Sequence, residues 1–355
     1  MTHPVPIFDG HNDVLLRLMH KGDHAAGAKA FLEGTDKGHL DLPRAQAGGF
    51  TGGLFAVFCP PIERAASVEE LMRGAGYDVP LPAGLALTDA QQAAIAMIAG
   101  LFRIERASGG AVRICRSAAD IDHAAETGAL AAVLHIEGAE PIDADFRMLD
   151  ILYQAGLRSI GPVWSRSNIF GHGVPFRFPS SPDTGPGLTD AGKALVKACN
   201  EFKVLIDLSH LNEKGFWDVA KLSDAPLVAS HSNAHAVSPH SRNLTDDQLR
   251  AVRDSGGLVG INYATSFLRE DGRMNADTPL ETLVRHADHL IGILGTDGVG
   301  LGSDFDGAAI PAALGDVSGL PKLVEAFHGA GYDEETIRKI CRDNWVSVLR
   351  RTWGG

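Results

Sequence analysis

A closed (β/α)8 barrel, the TIM barrel of the α/β class, is the fold this 355-residue sequence predicts. Three observations lead there. Eight short apolar runs stand out, most of them near-continuous, as strands buried on both faces of a parallel sheet must be. Helical patterns separate most of them. No GxGxxG follows the first run, which weakens the main rival, a doubly wound open sheet. In order, the runs are Val5–Phe8, Leu54–Phe58, Ala131–Ile136, Ser159–Val163, Val204–Leu208, Leu227–Ser230, Leu258–Asn262 and Val299–Ser303. Among the helices, Ile142–Ala155 carries Phe146, Leu149, Leu152 and Tyr153 at helical spacing. Thr189–Phe202 opens on a cap residue and buries Leu195, Val196 and Cys199. Capping boxes are read at Thr88 with Gln91, Thr245 with Gln248 and Thr278 with Glu281. A last helical stretch, Asp333–Arg351, is expected to close the barrel or pack beneath it. Two connections exceed the usual length: 59–122, with a helix around Thr88–Ala107, and 165–188, rich in Gly, Pro and Ser. The second follows the fourth strand and would overhang the active face. The chain is therefore read as one barrel domain, 1–355, with two insertions.

Composition sets limits on function. Hydrophobic residues make up 45% and charged residues 21%, which excludes a disordered chain, a disulfide scaffold and a fibre. No run approaches the roughly 18–20 apolar residues of a membrane span. Lys and Arg number 32 against 44 Asp and Glu, a net charge of −12, so nucleic acid and anionic lipid exert no general pull. The start lacks a basic-then-apolar leader and the end, VSVLRRTWGG, is too polar for a lipid-anchor tail. The expectation is a cytoplasmic protein without a membrane partner. Cys59, Cys115, Cys199 and Cys341 are scattered, with no CxxC pair, and read as structural thiols.

Active sites of such barrels lie at the C-terminal ends of the strands. Strand one runs into Asp9-Gly10-His11-Asn12-Asp13, strand three into Glu137, strand five into Ser209-His210, strand six into Ser230-His231, and strand eight into Ser303-Asp304-Phe305-Asp306. Five of eight strands thus deliver His, Asp or Glu to one face, where burial without partners would be expensive. In His11-x-Asp13 both side chains point to the same side of an extended chain and can bind one ion. His210 and His231 can supply a second, and Glu137 has two oxygens with which to bridge both. Nitrogen and oxygen donors of this kind suit zinc, with manganese or cobalt as substitutes. Each residue alone has a plainer reading: a capped or solvated histidine, or, for Asp304 and Asp306, a turn former. His135 is left open between core and site. His3, His20, His24, His39, His123, His286, His289 and His328 are read as solvated, and His235 and His240 as part of the loop after strand six. No lysine ends a strand, which argues against Schiff-base and PLP chemistry and against a carboxylated lysine as bridge.

The motifs DGHND at 9–13, HIEGAE at 135–140, DLSH at 207–210, SHSNAH at 230–235, HSRNLTDDQL at 240–249 and GSDFDG at 302–307 make the chain resemble the membrane (renal) dipeptidases. These are zinc-dependent members of the amidohydrolase superfamily, and the motifs run in the family's order over nearly the whole chain. The resemblance implies two zinc ions per chain, one held by His11 and Asp13, the other by His210 and His231, with Glu137 bridging. It implies a metal-bridging hydroxide as nucleophile, Asp304 as proton shuttle, and Arg242 as the holder of the substrate's C-terminal carboxylate; a surface ion pair is the plainer reading of Arg242. Dipeptides, including L-Xaa-D-Xaa, and sometimes β-lactams are the implied substrates. Family members are commonly dimers, which leaves a homodimer open here. One departure stands out: Trp164 occupies the place of a family histidine that polarises the scissile carbonyl, and His172 is considered as its replacement from the loop. Two other readings remain: a hydrolase of cyclic amides, lactones or phosphoesters on the same scaffold, and a non-catalytic ligand-binding barrel.

Overall fold

The computed structural model describes residues 4–19, 23–61 and 68–354. The eight barrel strands are β1 (Ile7–Asn12), β2 (Phe50–Phe58), β3 (Leu130–Glu137), β4 (Leu157–Gly161), β5 (Leu205–Ile206), β6 (Val228–Ala229), β7 (Leu258–Ile261) and β8 (Val299–Leu301). Each is parallel to its neighbours, β1 pairs with both β2 and β8, and an Asp207–Val228 bridge joins β5 to β6. The ring is thereby closed, and the expected barrel is borne out.

Strand lengths differ from those expected, for local reasons. β1 runs four residues further than its apolar stretch, because Asn12 bridges Phe305 and donates to the Leu54 carbonyl. His11 therefore lies within the strand. β5 and β6 shrink to two residues each. There the Asp207 carboxylate accepts the Ser209 and Ser230 backbone N–H groups, doing the work of a ladder.

The insertion between β2 and β3 carries a helix at Leu87–Ala107 and a short strand, Val112–Ile114, which adds to the lower part of β3. Tyr77–Asp78 pairs antiparallel with Arg177–Phe178, tying the two insertions together over the active face.

Some helix starts are corrected. Arg147–Ala155 begins five residues late, because Phe146 takes a left-handed φ of 60° and Asp143 accepts from the Arg147 and Met148 N–H groups. The Thr245–Gln248 box is present. Those at Thr88 and Thr278 are not: Gln91 donates to the Pro141 carbonyl, and Thr278 to that of Asn275.

The final helix, Asn344–Trp353, supplies a plug. Trp345 is fully buried in a cluster with Phe8, Leu54, Val133, Leu205, Val228 and Leu258, which come from six of the strands. Its Nε1 donates to the Leu301 carbonyl at 2.8 Å. Gly10 and Gly300 leave it room, since a Cβ would lie 2.3 Å and 2.5 Å from the indole. The four cysteines are buried and free, and burial pushes their thiols up to about 12.

Three histidines read as solvated are not. His39 is half-buried and exchanges hydrogen bonds with Asp306, and His289 pairs with Asp246 at 2.8 Å. His286 is fully buried: Nδ1 accepts from the Ala234 N–H and Nε2 donates to the Leu268 carbonyl. His3 and His20 lie outside the described residues. Burial holds His286 down at about 4. The unfolded chain takes up this proton near 6.5 and the folded one only near 4, so acid favours unfolding across that window. Stability should fall by roughly 3 kcal/mol from this residue between the two values. His286→Asn should remove that part of the acid dependence of urea unfolding, and an unchanged slope against pH would refute the assignment.

Candidate active site

The strand ends converge at the mouth of the barrel. His210 and His231 place their Nε2 atoms 3.0 Å apart. Glu137 Oε1 lies 3.0 Å from the first and 3.3 Å from the second. His11 Nε2 is 3.6 Å from the same oxygen and 3.4 Å from Asp13 Oδ2. Two overlapping clusters with metal-ligand spacing result: His11, Glu137 and His231, and His11, Asp13 and Asp304. All five residues expected as ligands are buried.

Electrostatics sets the demand. Burial pushes the Glu137 and Asp304 carboxyls up, and the His210 and His231 imidazoles well down. For His11, burial opposes the charge, but Glu137, Asp13 and Asp304 outweigh it and raise the ring to about 10. Three acidic groups, Glu137, Asp13 and Asp304, therefore gather with three imidazoles and one guanidinium, and of the rings only His11 gains basicity from them. A buried cluster of that kind is suited to hold cations.

Asp304 follows β8 in a left-handed conformation, φ 60°, with its N–H on the His11 carbonyl. Asn262, just past β7, donates to its Oδ2 at 2.9 Å. Gly307 keeps the space between the acids open, because a Cβ there would lie 2.1 Å from Asp13 Oδ2 and 2.5 Å from Asp304 Oδ1. Arg242 is buried, which removes the surface-pair reading. It donates to the His231 carbonyl and stands 5.4 Å over the Phe267 ring, while its Nε has no partner. Burial lowers its guanidinium to about 10, against the pull of Asp304 and Glu137.

A cavity of about 520 Å³ opens over these groups. Asp13, Glu137, His210 and Asp304 line one side, and Phe58, Trp164, Phe176, Phe267 and Met274 the other. Trp164 does reach the site: its ring lies 5.8 Å from His210, between Phe58 and Phe176. Behind it, the buried Arg166 pairs with Glu140 at 2.8 Å. His172 does not reach it; bonded to Ser167, it lines a separate cleft with Asp78 and Arg177. His135 lies in the floor, bonded to Ser159 and edge-on to His11, and burial lowers it to about 4. Its place is structural support for His11.

Sequence reading missed Asn262, Ser165, Ser230 and Asp207. The signal was there in part. Asn262 ends the seventh apolar run, and Ser230 and Asp207 precede His231 and His210 by one and three residues.

A family model, "Membrane dipeptidase (Peptidase family M19)", matches residues 1–353. The chain belongs to the membrane dipeptidase family. It is accordingly a hydrolase of metallo-dipeptidase type, and the lactonase, phosphoesterase and non-catalytic readings fall away. A crystal structure described as the dipeptidase AC, a metallo peptidase of family M19, is 54% identical, with a TM-score of 0.96 and 99% of both chains covered. A metallo peptidase from Rhodobacter sphaeroides, liganded with a phosphinate mimic of the dipeptide L-Ala-D-Ala, is also 54% identical, with a TM-score of 0.96 over 99% of this chain and 100% of that one. A Klebsiella pneumoniae protein, uncharacterised and encoded in the pqqA 5′ region, is 56% identical over 246 residues, 69% of this chain and 91% of its own. No helix among the described residues is long and apolar enough to cross a membrane.

Proposed function

We propose that this membrane dipeptidase family member is a binuclear zinc enzyme that cleaves dipeptides with a free C-terminal carboxylate, L-Xaa-D-Xaa among them. One observation carries the reading: the His210 and His231 Nε2 atoms converge on each other and on Glu137 Oε1 within 3.3 Å. One shared carboxylate oxygen cannot give both rings and His11 a full set of hydrogen-bond partners, and a cation among them would take up the lone pairs that face it. His11, with neither ring nitrogen in a hydrogen bond, fits the same role beside Asp13. His11 and Asp13 would hold one ion, His210 and His231 the other, and Glu137 both. When bound, the ions supply Lewis acidity to the scissile carbonyl and acidify a water.

The chain's own groups do the rest. Asp304, raised by burial and fixed at Oδ2 by Asn262, accepts a proton at its free oxygen and returns it to the departing amine. Arg242, buried within electrostatic reach of Asp304 and Glu137 and with an uncommitted Nε–H, holds the substrate carboxylate. Trp164, Phe58 and Phe176 keep water from the apolar side of the cavity and pack on a substrate side chain. The phosphinate dipeptide mimic in the Rhodobacter relative supports the L,D stereochemistry.

A panel of L,L and L,D dipeptides, assayed with and without chelator and paired with elemental analysis, tests this. Zinc near two per chain and chelator-sensitive cleavage are expected; a metal-free active enzyme would sink the reading. Arg242→Lys should raise KM by about 10²-fold for free dipeptides and narrow their advantage over C-terminal amides. An unchanged preference for the free acid would remove Arg242 from that role.

A further inference from the structure

Asp207 touches neither cavity nor substrate, yet its side-chain hydrogen bonds lead to a proposed ligand, and its Oδ2 also lies 3.6 Å from Nε2 of His135, the ring edge-on to His11. Its Oδ1 accepts two backbone N–H groups, Ser209 at 3.0 Å and Ser230 at 2.7 Å. Its Oδ2 accepts the Ser230 hydroxyl. Ser230 Oγ in turn lies 2.7 Å from His231 Nδ1. All four residues are buried.

The short Ser230–Asp207 contact decides the proton count along this chain, since the other acceptor near that hydroxyl, Ser209 Oγ, is 3.5 Å away. A carboxylate only accepts, and a serine hydroxyl has one hydrogen. With that hydrogen on Asp207, Ser230 Oγ can only accept from His231, so Nδ1 carries the imidazole proton. The other nitrogen, Nε2, is left bare, and it is the one facing Glu137 and His210. We infer that Asp207 is a positioning residue for the metal centre, fixing His231 through Ser230 in the tautomer that binds metal. The inference rests on the metal reading above. His210 is an internal control, because its Nδ1 meets Ser165 Oγ instead.

Asp207→Asn makes the test sharp. The two backbone N–H groups hold the amide oxygen at the Oδ1 position, so the NH2 group must face Ser230. It then donates to Ser230 Oγ, whose hydrogen turns to His231 Nδ1, and the imidazole proton moves to Nε2. Ligand preparation of this kind is worth about 10–100-fold in metal affinity. Zinc-loaded wild type, Asp207→Asn and Ser230→Ala are each titrated with a competing chelator. Histidine 15N shifts are read on the metal-free proteins. Expected for Asp207→Asn is zinc binding weaker by about 10–100-fold, with the protonated and bare nitrogens of His231 exchanged and those of His210 unmoved. Ser230→Ala imposes neither tautomer and should weaken binding less, a result that stands even if Asp207→Asn fails to fold. Full affinity in both variants, or an unexchanged His231 in Asp207→Asn, overturns the inference alone. Wild type that takes up no zinc overturns the metal reading and this inference together.

Discussion

Asp304→Asn is expected to lower kcat by about 10²–10⁴-fold while the metal content stays at the wild-type level. Asparagine has the same shape and keeps an oxygen for the Asn262 amide, so the left-handed turn at 304 should survive. What it lacks is a site for a proton. The burial that pushes Asp304 up from the ordinary carboxylate range makes it a better proton acceptor than an exposed aspartate. Elemental analysis gives the experiment its second edge. Asp304 lies within ligand spacing of His11 and Asp13, so it competes for the description of a third ligand to that ion. Loss of metal along with loss of rate would make it a ligand; near-normal kcat would end its role altogether.

A second large effect is expected at Glu137. Its Oε1 is the point on which His11, His210 and His231 all converge. Glu137→Gln replaces an anionic oxygen by a neutral one and offers an N–H to imidazoles that need a cation. Metal should fall from two ions per chain to one or none. Affinity should drop by more than the roughly 100-fold typical of outer groups, and cleavage should fall to background. Prolonged chelation of the wild type should reproduce that state, and added zinc should restore the wild type but not the variant at equal concentration. A variant that retains both ions would show that Glu137 is a neighbour of the metals and not their bridge.

The eight strands were legible because a strand buried on both faces writes itself as an unbroken apolar run. β3, Leu130–Glu137, is buried at every position. The converging His, Asp and Glu side chains were legible because polar residues at the ends of such runs have no packing reason to be there. What was hidden depended on side chains bonding to backbone. The two-residue β5 and β6 follow from Asp207 capturing one N–H of its own segment, Ser209, and one at the end of the next strand, Ser230. The left-handed φ of His210, Asp304 and Asp306 carried no glycine or asparagine to announce it. His286 looked like one more polar residue on an amphipathic helix, because its two partners, Ala234 and Leu268, are backbone groups from other elements. His172 was misplaced for the converse reason: loop direction follows from tertiary contacts, and Ser167 turns it away.

The indole plug at Trp345 also orders events in time. All eight strands leave the ribosome before it does, so the nascent ring must wait, hollow at its base, for a filler encoded near its far end. Growing chains stalled ahead of that residue should therefore expose apolar interior and attract chaperones. Capping the floor becomes a late step of maturation.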